Sequence, residues 1–227
     1  RGGGGGRLDG RVPAVPRASI PRSAPGRGAA DVILRKGGRQ VVPPERITLP
    51  DGYLLRRLTV RDAPALSLAA AESLDHLRPW MPWATPEGVS VEAQRLRMSG
   101  PAWAWTADTD YGYGVFVADG RLVGALGLHR RVGPGALEIG YWVHVEHTRR
   151  GIASASARAL TDAGFALSGV RRMEIHCDAA NVASAAVPAK LGYRLVGSED
   201  HEPEAPGEEG RRLVWVMYER EWKTAQG

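Results

Sequence analysis

The sequence predicts a mixed α/β (α+β) fold, a mixed central sheet flanked by helices, and three observations carry that expectation. Asp119-Gly120 joins two apolar runs, and Asp-Gly is a strong hairpin signal because such turns need residues that tolerate positive φ. Arg171–Cys177 alternates Met173, Ile175 and Cys177 against Arg172, Glu174 and His176, the two-residue period of a strand. Leu137–Ala153, LEIGYWVHVEHTRRGIA, passes from a β-rich run (Leu137–Val145) through a basic, glycine-bearing turn (His147–Gly151) into a helix reading Ile152–Leu167.

Composition narrows the class. At 227 residues one domain with a sizeable core is the default. No apolar run reaches membrane-span length and no signal-peptide core follows the first residues, so a cytoplasmic protein without a membrane partner is expected. Cys177 is the lone cysteine, which excludes a disulfide framework within the chain and fits a reducing compartment. Six scattered histidines and one cysteine offer no metal-ligand spacing, so no metal is expected.

The net charge of +5 is unevenly placed. Residues 1–46 hold ten Arg/Lys against Asp9, Asp31 and Glu45, a balance of +7, which leaves −2 for the rest. This leader is rich in Gly, Pro and Arg and has no aromatic residue, so it is expected to be disordered. Nucleic acid is an expected partner only through it. The folded domain is expected over 47–227.

The elements follow in order. Tyr53–Leu58 reads as a strand, and Asp62 is an N-cap before a helix over Ala65–Leu74. His76–Pro86 carries three prolines and two tryptophans and reads as a loop. Thr85 or Glu87 starts a helix over Val89–Met98, and Trp103–Asp110 is irregular. Gly112–Ala118 and Arg121–Arg130 are the hairpin strands, and Gly133-Pro134-Gly135 turns the chain into the Leu137 strand. After Arg171–Cys177, Asn181–Leu191 reads as a helix with Pro188 inside it and Gly192 as its C′ residue. Tyr193–Val196 starts a strand, His201–Gly210 is an acidic loop, and Leu213–Glu219 is the last strand.

The turn after the Leu137 strand is a ready anion site. First-turn amides of a helix lack intrahelical acceptors and the helix dipole favours negative charge there. Arg149 and Arg150 add cationic donors, so a phosphorylated cofactor is expected at this place. Neither the dinucleotide fingerprint nor the Walker loop is present.

The run LEIGYWV–x5–RRGIA–x24–DAANVAS–x6–LGY, with HLRPWMPW upstream, resembles the GNAT acyl-CoA-dependent N-acyltransferases, and within them the RimJ/RimL-like ribosomal-protein N-terminal acetyltransferases. The resemblance covers about residues 47–220. It implies the GNAT fold, with a splayed pair of parallel strands, and acetyl-CoA as cosubstrate with coenzyme A as product. It also implies direct transfer of an acetyl group to a protein N-terminal or small-molecule primary amine. A non-catalytic CoA-binding sensor and a succinyl or other acyl donor stay open, as does a homodimer. The family's Q/R-x-x-G-x-G/A turn falls on Thr148–Ala153, with Thr148 departing at the first position.

The resemblance also places the site. Arg149, Arg150, Gly151, Ile152, Ala153 and Ser154 are implied for the pyrophosphate, and the backbones of Val143 and Val145 for the pantetheine arm, with the splay near Trp142–Val145. Asn181 is implied to bond the arm. Ser184 is the implied donor of a proton to the thiolate, and Glu138 the implied base; the alternative for Glu138 is a structural carboxylate paired with an arginine on a neighbouring strand. Trp80, Trp83, Trp103, Trp105, His129 and His176 are candidates to line the acceptor cleft.

Overall fold

Arg35–Lys36 (β1) pairs with Arg39–Gln40 (β2) in a two-residue antiparallel ribbon. The computed structural model describes residues 35–36, 39–40, 42–100, 103–106 and 109–225; the leader up to residue 34 lies outside them. The main sheet contains Arg46–Thr48 (β3), Leu54–Arg57 (β4), Tyr111–Phe116 (β5), Leu122–His129 (β6), Ala136–Val143 (β7), Arg172–Asp178 (β8), Arg194–Asp200 (β9) and Arg211–Tyr218 (β10). Its order is β3-β4-β5-β6-β7-β8-β10-β9. Every neighbouring pair is antiparallel except β7 and β8, which are parallel.

A parallel pair requires a crossover, and here it is a helix over Ile152–Ala166 (α4). Leu137 and Ile139 of β7 and Met173 and Ile175 of β8 meet Ile152, Leu160 and Phe165 of α4 in the main core. Full burial of side chains of this size stabilises by about 1.5–3 kcal/mol each. Val182–Lys190 (α5) packs on the same side, against α4. Ala63–Glu72 (α1), Leu74–Leu77 (α2) and Val91–Ser99 (α3) cover the opposite face, where Leu58, Leu66, Met98, Phe116 and Leu122 form a second apolar cluster. The two faces follow the strand period: Tyr141 and Val143 pack toward the first core, Trp142 toward the second.

The hairpin forms as read: Gly120 has φ 87° and Val117 N–H donates to Arg121 O at 3.0 Å. Several boundaries differ. The β7 strand ends at Val143, and Val145–His147 is a 3₁₀ turn rather than strand. The α1 helix begins at Ala63, because Pro64 is suited to a first helical turn. Ser90, not Thr85 or Glu87, caps α3, accepting Ala93 N–H at 3.2 Å. The α2 turn lies partly inside the expected loop. The strand β3 and a C-terminal helix, Glu219–Thr224 (α6), were not expected. Six residues are too few for helix propensity to act alone; Trp222 anchors α6, 4% exposed, with Nε1 donating to Asp162 at 2.7 Å.

Candidate functional site

The strand–turn–helix unit builds an anion cradle. Arg149 has φ 61° and Gly151 φ 78°, so two left-handed residues flank Arg150. No acidic residue occupies the first turn of α4, and no side chain caps it. The amides of Ile152, Ala153 and Ser154 are therefore the orphan donors of this helix. A Cβ built on Gly151 meets nothing within 4 Å, so the cradle is open beside the backbone. These features fit a pyrophosphate. Thr148, the departing position, turns its hydroxyl back to Val145 O at 3.0 Å.

From this cradle a gap runs between β7 and β8. The two strands pair at Ala136/Arg172, Leu137/Met173 and Glu138/Glu174 and no further, although both continue. The splay thus opens at Ile139, three residues earlier than the Trp142–Val145 expected. His144 N–H donates to Val123 O at 2.9 Å, so the alternation of an antiparallel ladder turns the backbone groups of Tyr141 and Val143 away from β6 and into the gap. Val143 keeps its expected orientation. Val145 does not: its N–H donates to Ser73 Oγ at 3.1 Å and so is not turned into the gap. The Tyr141 backbone faces the gap instead.

The mouth of α5 faces the same gap. Asn181 Oδ1 accepts Ser184 N–H at 3.0 Å and caps the helix. Tyr141 Oη donates to Ser184 O at 3.0 Å and lies 3.1 Å from Ser184 Oγ. Burial pushes the Tyr141 hydroxyl well above its ordinary range, so it stays protonated. Burial pushes the Cys177 thiol up as well.

The gap is continuous with a cleft on the other face of β6, β7 and β8, the two together enclosing about 1360 Å³. Along its wall charged groups form a line. Arg131 Nε and Nη2 each lie 2.6 Å from a Glu138 oxygen. Burial alone would raise the Glu138 carboxyl, but the Arg131 bonds and charge hold it below its ordinary value. His176 Nε2 is 2.6 Å from Glu174 and its Nδ1 is 3.9 Å from Glu138; the other Glu174 oxygen takes Arg172 Nε at 2.6 Å. Glu138 is thus the carboxylate of a forked ion pair, with its arginine just after β6.

His129 differs from its neighbours. Its Nδ1 lies 2.9 Å from Asp110 Oδ2, and Asp110 Oδ1 accepts Arg130 N–H at 2.9 Å. Against the upward push of burial, these bonds keep Asp110 below its ordinary value. Nε2 of His129 lies over the cross-strand pair Gly127 and Gly140: a Cβ at Gly127 would stand 2.5 Å from it. Two residues without side chains give the imidazole its berth on the cleft floor.

Trp80, Trp83, Trp103, His129 and His176 all line this cleft. Trp105 does not. It is 7% exposed in the core, 5.5 Å from the Tyr111 ring and 4.9 Å from Tyr113. The far side of the cleft is the loop after β9. Asp178 accepts N–H bonds from Glu209, Gly210 and Arg211, and Gly207 N–H donates to Pro79 O at 2.8 Å, so this loop meets the tryptophan loop. Sequence reasoning did not single out Tyr141, Arg97, Asp110 or Arg131. Strand parity was a usable signal for Tyr141, which shares a face with Val143; the others come from separate segments and only the fold assembles them.

Comparison with known proteins agrees with this geometry. Residues 53–194 match the model of the acetyltransferase (GNAT) domain family. The chain is 29% identical over 147 residues to YjcK of Bacillus subtilis, described as a probable N-acetyltransferase, covering 63% of this chain and 81% of that protein. Among solved structures, Mycobacterium smegmatis RimJ in complex with CoA-disulfide superposes with a TM-score of 0.68 at 26% identity, over 78% of this chain and 87% of that one. The ribosomal-protein-S5-alanine acetyltransferase of Vibrio fischeri gives 0.70 at 18% identity, over 78% and 98%.

Proposed function

We propose a function from one premise: the chain belongs to the acetyltransferase (GNAT) family. It is a GNAT-family N-acetyltransferase, and the finer reading concerns its residues and its acceptor. Acetyl-CoA supplies an acetyl group activated as a thioester. Arg149, Arg150 and the amides of Gly151–Ser154 hold its pyrophosphate; Tyr141 and Val143 backbone groups and the Asn181 amide hold the arm in the gap. The observation that carries this reading is the parallel pair that comes apart after Glu138/Glu174, which leads from an anion cradle to a wall of titratable groups.

The acceptor is a primary amine, of a protein N-terminus or a small molecule, and it arrives as an ammonium that must lose a proton. We assign that proton to His129 Nε2, with Asp110 orienting the ring. Glu138, the base expected from sequence, would have to surrender two 2.6 Å bonds to Arg131 to serve, so we assign it to positioning the wall. Ser184 Oγ, 3.1 Å from Tyr141 Oη, returns a proton to the departing thiolate. Most of the rate enhancement then rests on holding amine and thioester together. The lone cysteine, Cys177, supports a cytoplasmic place of action.

Free-thiol release from acetyl-CoA, measured over a panel of peptide and small-molecule amines, tests the reading. Release that depends on an amine is expected. CoA binding with no amine acetylated would overturn it in favour of a sensor.

A further inference from the structure

We propose that Arg97 forms an anion-recognition subsite in the acceptor cleft, so that the amine acetylated carries a carboxylate or phosphate. This rests on the reading of the cleft as the acceptor site. It begins from α3, whose cleft-facing side chains are Gln94, Arg97 and Met98. The Arg97 guanidinium stacks over the Trp83 ring, 4.8 Å from its centroid. Trp83 in turn meets Trp142 of β7, with centroids 6.2 Å apart, on the stretch where the gap is already open. The cation therefore stands two rings away from the cofactor gap.

Arg97 has no carboxylate partner among the described residues. Among the described residues its one polar side-chain contact is Gln94 Oε1, at a long 3.4 Å. Gln94 is 1% exposed, and its Nε2 donates to Gly88 O at 2.8 Å, which fixes the amide with its oxygen toward the guanidinium. The other arginines of this wall are treated differently: Arg131 and Arg172 each hold a buried carboxylate at 2.6 Å. Burial pulls the Arg97 guanidinium down from its ordinary value, the expected sign for a cation desolvated without a counter-charge. It stays protonated all the same, because guanidinium does not release its proton in proteins.

A partly desolvated cation with no counter-charge among the described residues costs free energy that a ligand anion would recover. Stacking on Trp83 occupies one face of the guanidinium and leaves its edge donors, the fork that grips a carboxylate or phosphate through two bonds. The opposite rim carries Glu199, Glu204 and Glu208, with Arg212 among them. An ammonium is drawn toward that rim and an anion toward Arg97. A neutral or purely cationic acceptor would leave the half-buried Arg97 unmatched.

The test uses the full chain with CoA bound. Two matched pairs of acceptors serve as probes: the tripeptide amides Ser-Glu-Ala and Ser-Gln-Ala, and β-alanine with β-alaninamide. Binding is read by calorimetry and acetylation by thiol release from acetyl-CoA. At least tenfold tighter binding and lower KM is expected for the anionic member of one pair, and which pair responds identifies a peptide or a small-molecule source. Arg97→Met should erase that preference while leaving the KM for acetyl-CoA within twofold, and Arg97→Lys should keep part of it. Equal binding of both members by the wild type, or a preference that survives Arg97→Met, overturns the subsite. The proposed function fails separately: Arg97-dependent anion binding with no amine acetylated would sustain the subsite and sink the enzyme reading.

Discussion

The Tyr141 hydroxyl donates to the Ser184 carbonyl at 3.0 Å, and Pro188 is the reason that this carbonyl can accept it. In an uninterrupted helix the residue four positions on supplies the N–H. Pro188 has none. A proline that reads as a defect in α5 thus creates an acceptor at the edge of the gap, and Tyr141 fills it. The same contact brings the phenol to 3.1 Å from Ser184 Oγ.

A double-mutant cycle measures this coupling. Tyr141→Phe should destabilise by about 1–2 kcal/mol, the cost of orphaning a part-buried carbonyl. In a Pro188→Ala background the restored backbone N–H reaches Ser184 O, and Tyr141→Phe should then cost less than about half as much. Urea denaturation of the four proteins gives both numbers; equal costs in the two backgrounds would refute the pairing.

His129 and its glycine berth make a kinetic prediction. His129→Gln should lower kcat by about 10²–10⁴-fold, the usual worth of a positioned proton acceptor, and should abolish the acid limb of the pH–rate profile. Gly127→Ala places a methyl 2.5 Å from Nε2 and must displace the ring. It should reduce kcat while leaving acetyl-CoA affinity, read by calorimetry, unchanged. An unaltered pH profile in His129→Gln would return the role to Glu138.

The Arg131–Glu138 pair should respond asymmetrically. Glu138 is 8% exposed and Arg131 62%. Arg131→Met strands a buried carboxylate and should cost about 3 kcal/mol, whereas Glu138→Gln leaves an arginine that can rehydrate and should cost about 1–2 kcal/mol. Because the folded carboxyl lies below its ordinary value of 4.5, the contribution of the pair is complete above that pH and is lost as pH falls through the depressed value. Glu138→Gln should flatten the acid end of the stability curve by that amount.

Gly151 tests the cradle. At φ 78° any side chain is strained by about 1–2 kcal/mol, and a carboxylate there repels phosphate. Gly151→Glu should weaken CoA binding at least tenfold by calorimetry. Intact binding would show that the pyrophosphate sits elsewhere.

Much of the fold is legible in the chain because it is written locally. The Asp119-Gly120 turn, the alternation of Arg171–Cys177 and the glycine at the start of α4 each act within a few residues. The same holds for the cradle at Arg149–Ser154, whose donors are backbone groups of one helix terminus. Val145 was misplaced because a β-rich composition does not mark where a ladder ends; Ser73, far away in sequence, takes its N–H. Trp105 was misplaced because a tryptophan in an irregular segment reads the same whether it faces a core or a cleft.

By itself the sequence determined the mixed α/β architecture, the family resemblance, the anion cradle and the presence of Glu138, His129, Asn181 and Ser184 as chemistry-bearing residues. Only the tertiary structure decided what each of them bonds. Glu138 is claimed by Arg131, His129 by Asp110, and the Ser184 carbonyl by Tyr141, while Arg97 is left with no carboxylate among the described residues. The physical reason is that a titratable group takes its role from its partners and its desolvation, and those partners come from separate segments that meet only when the sheet and its helices have packed.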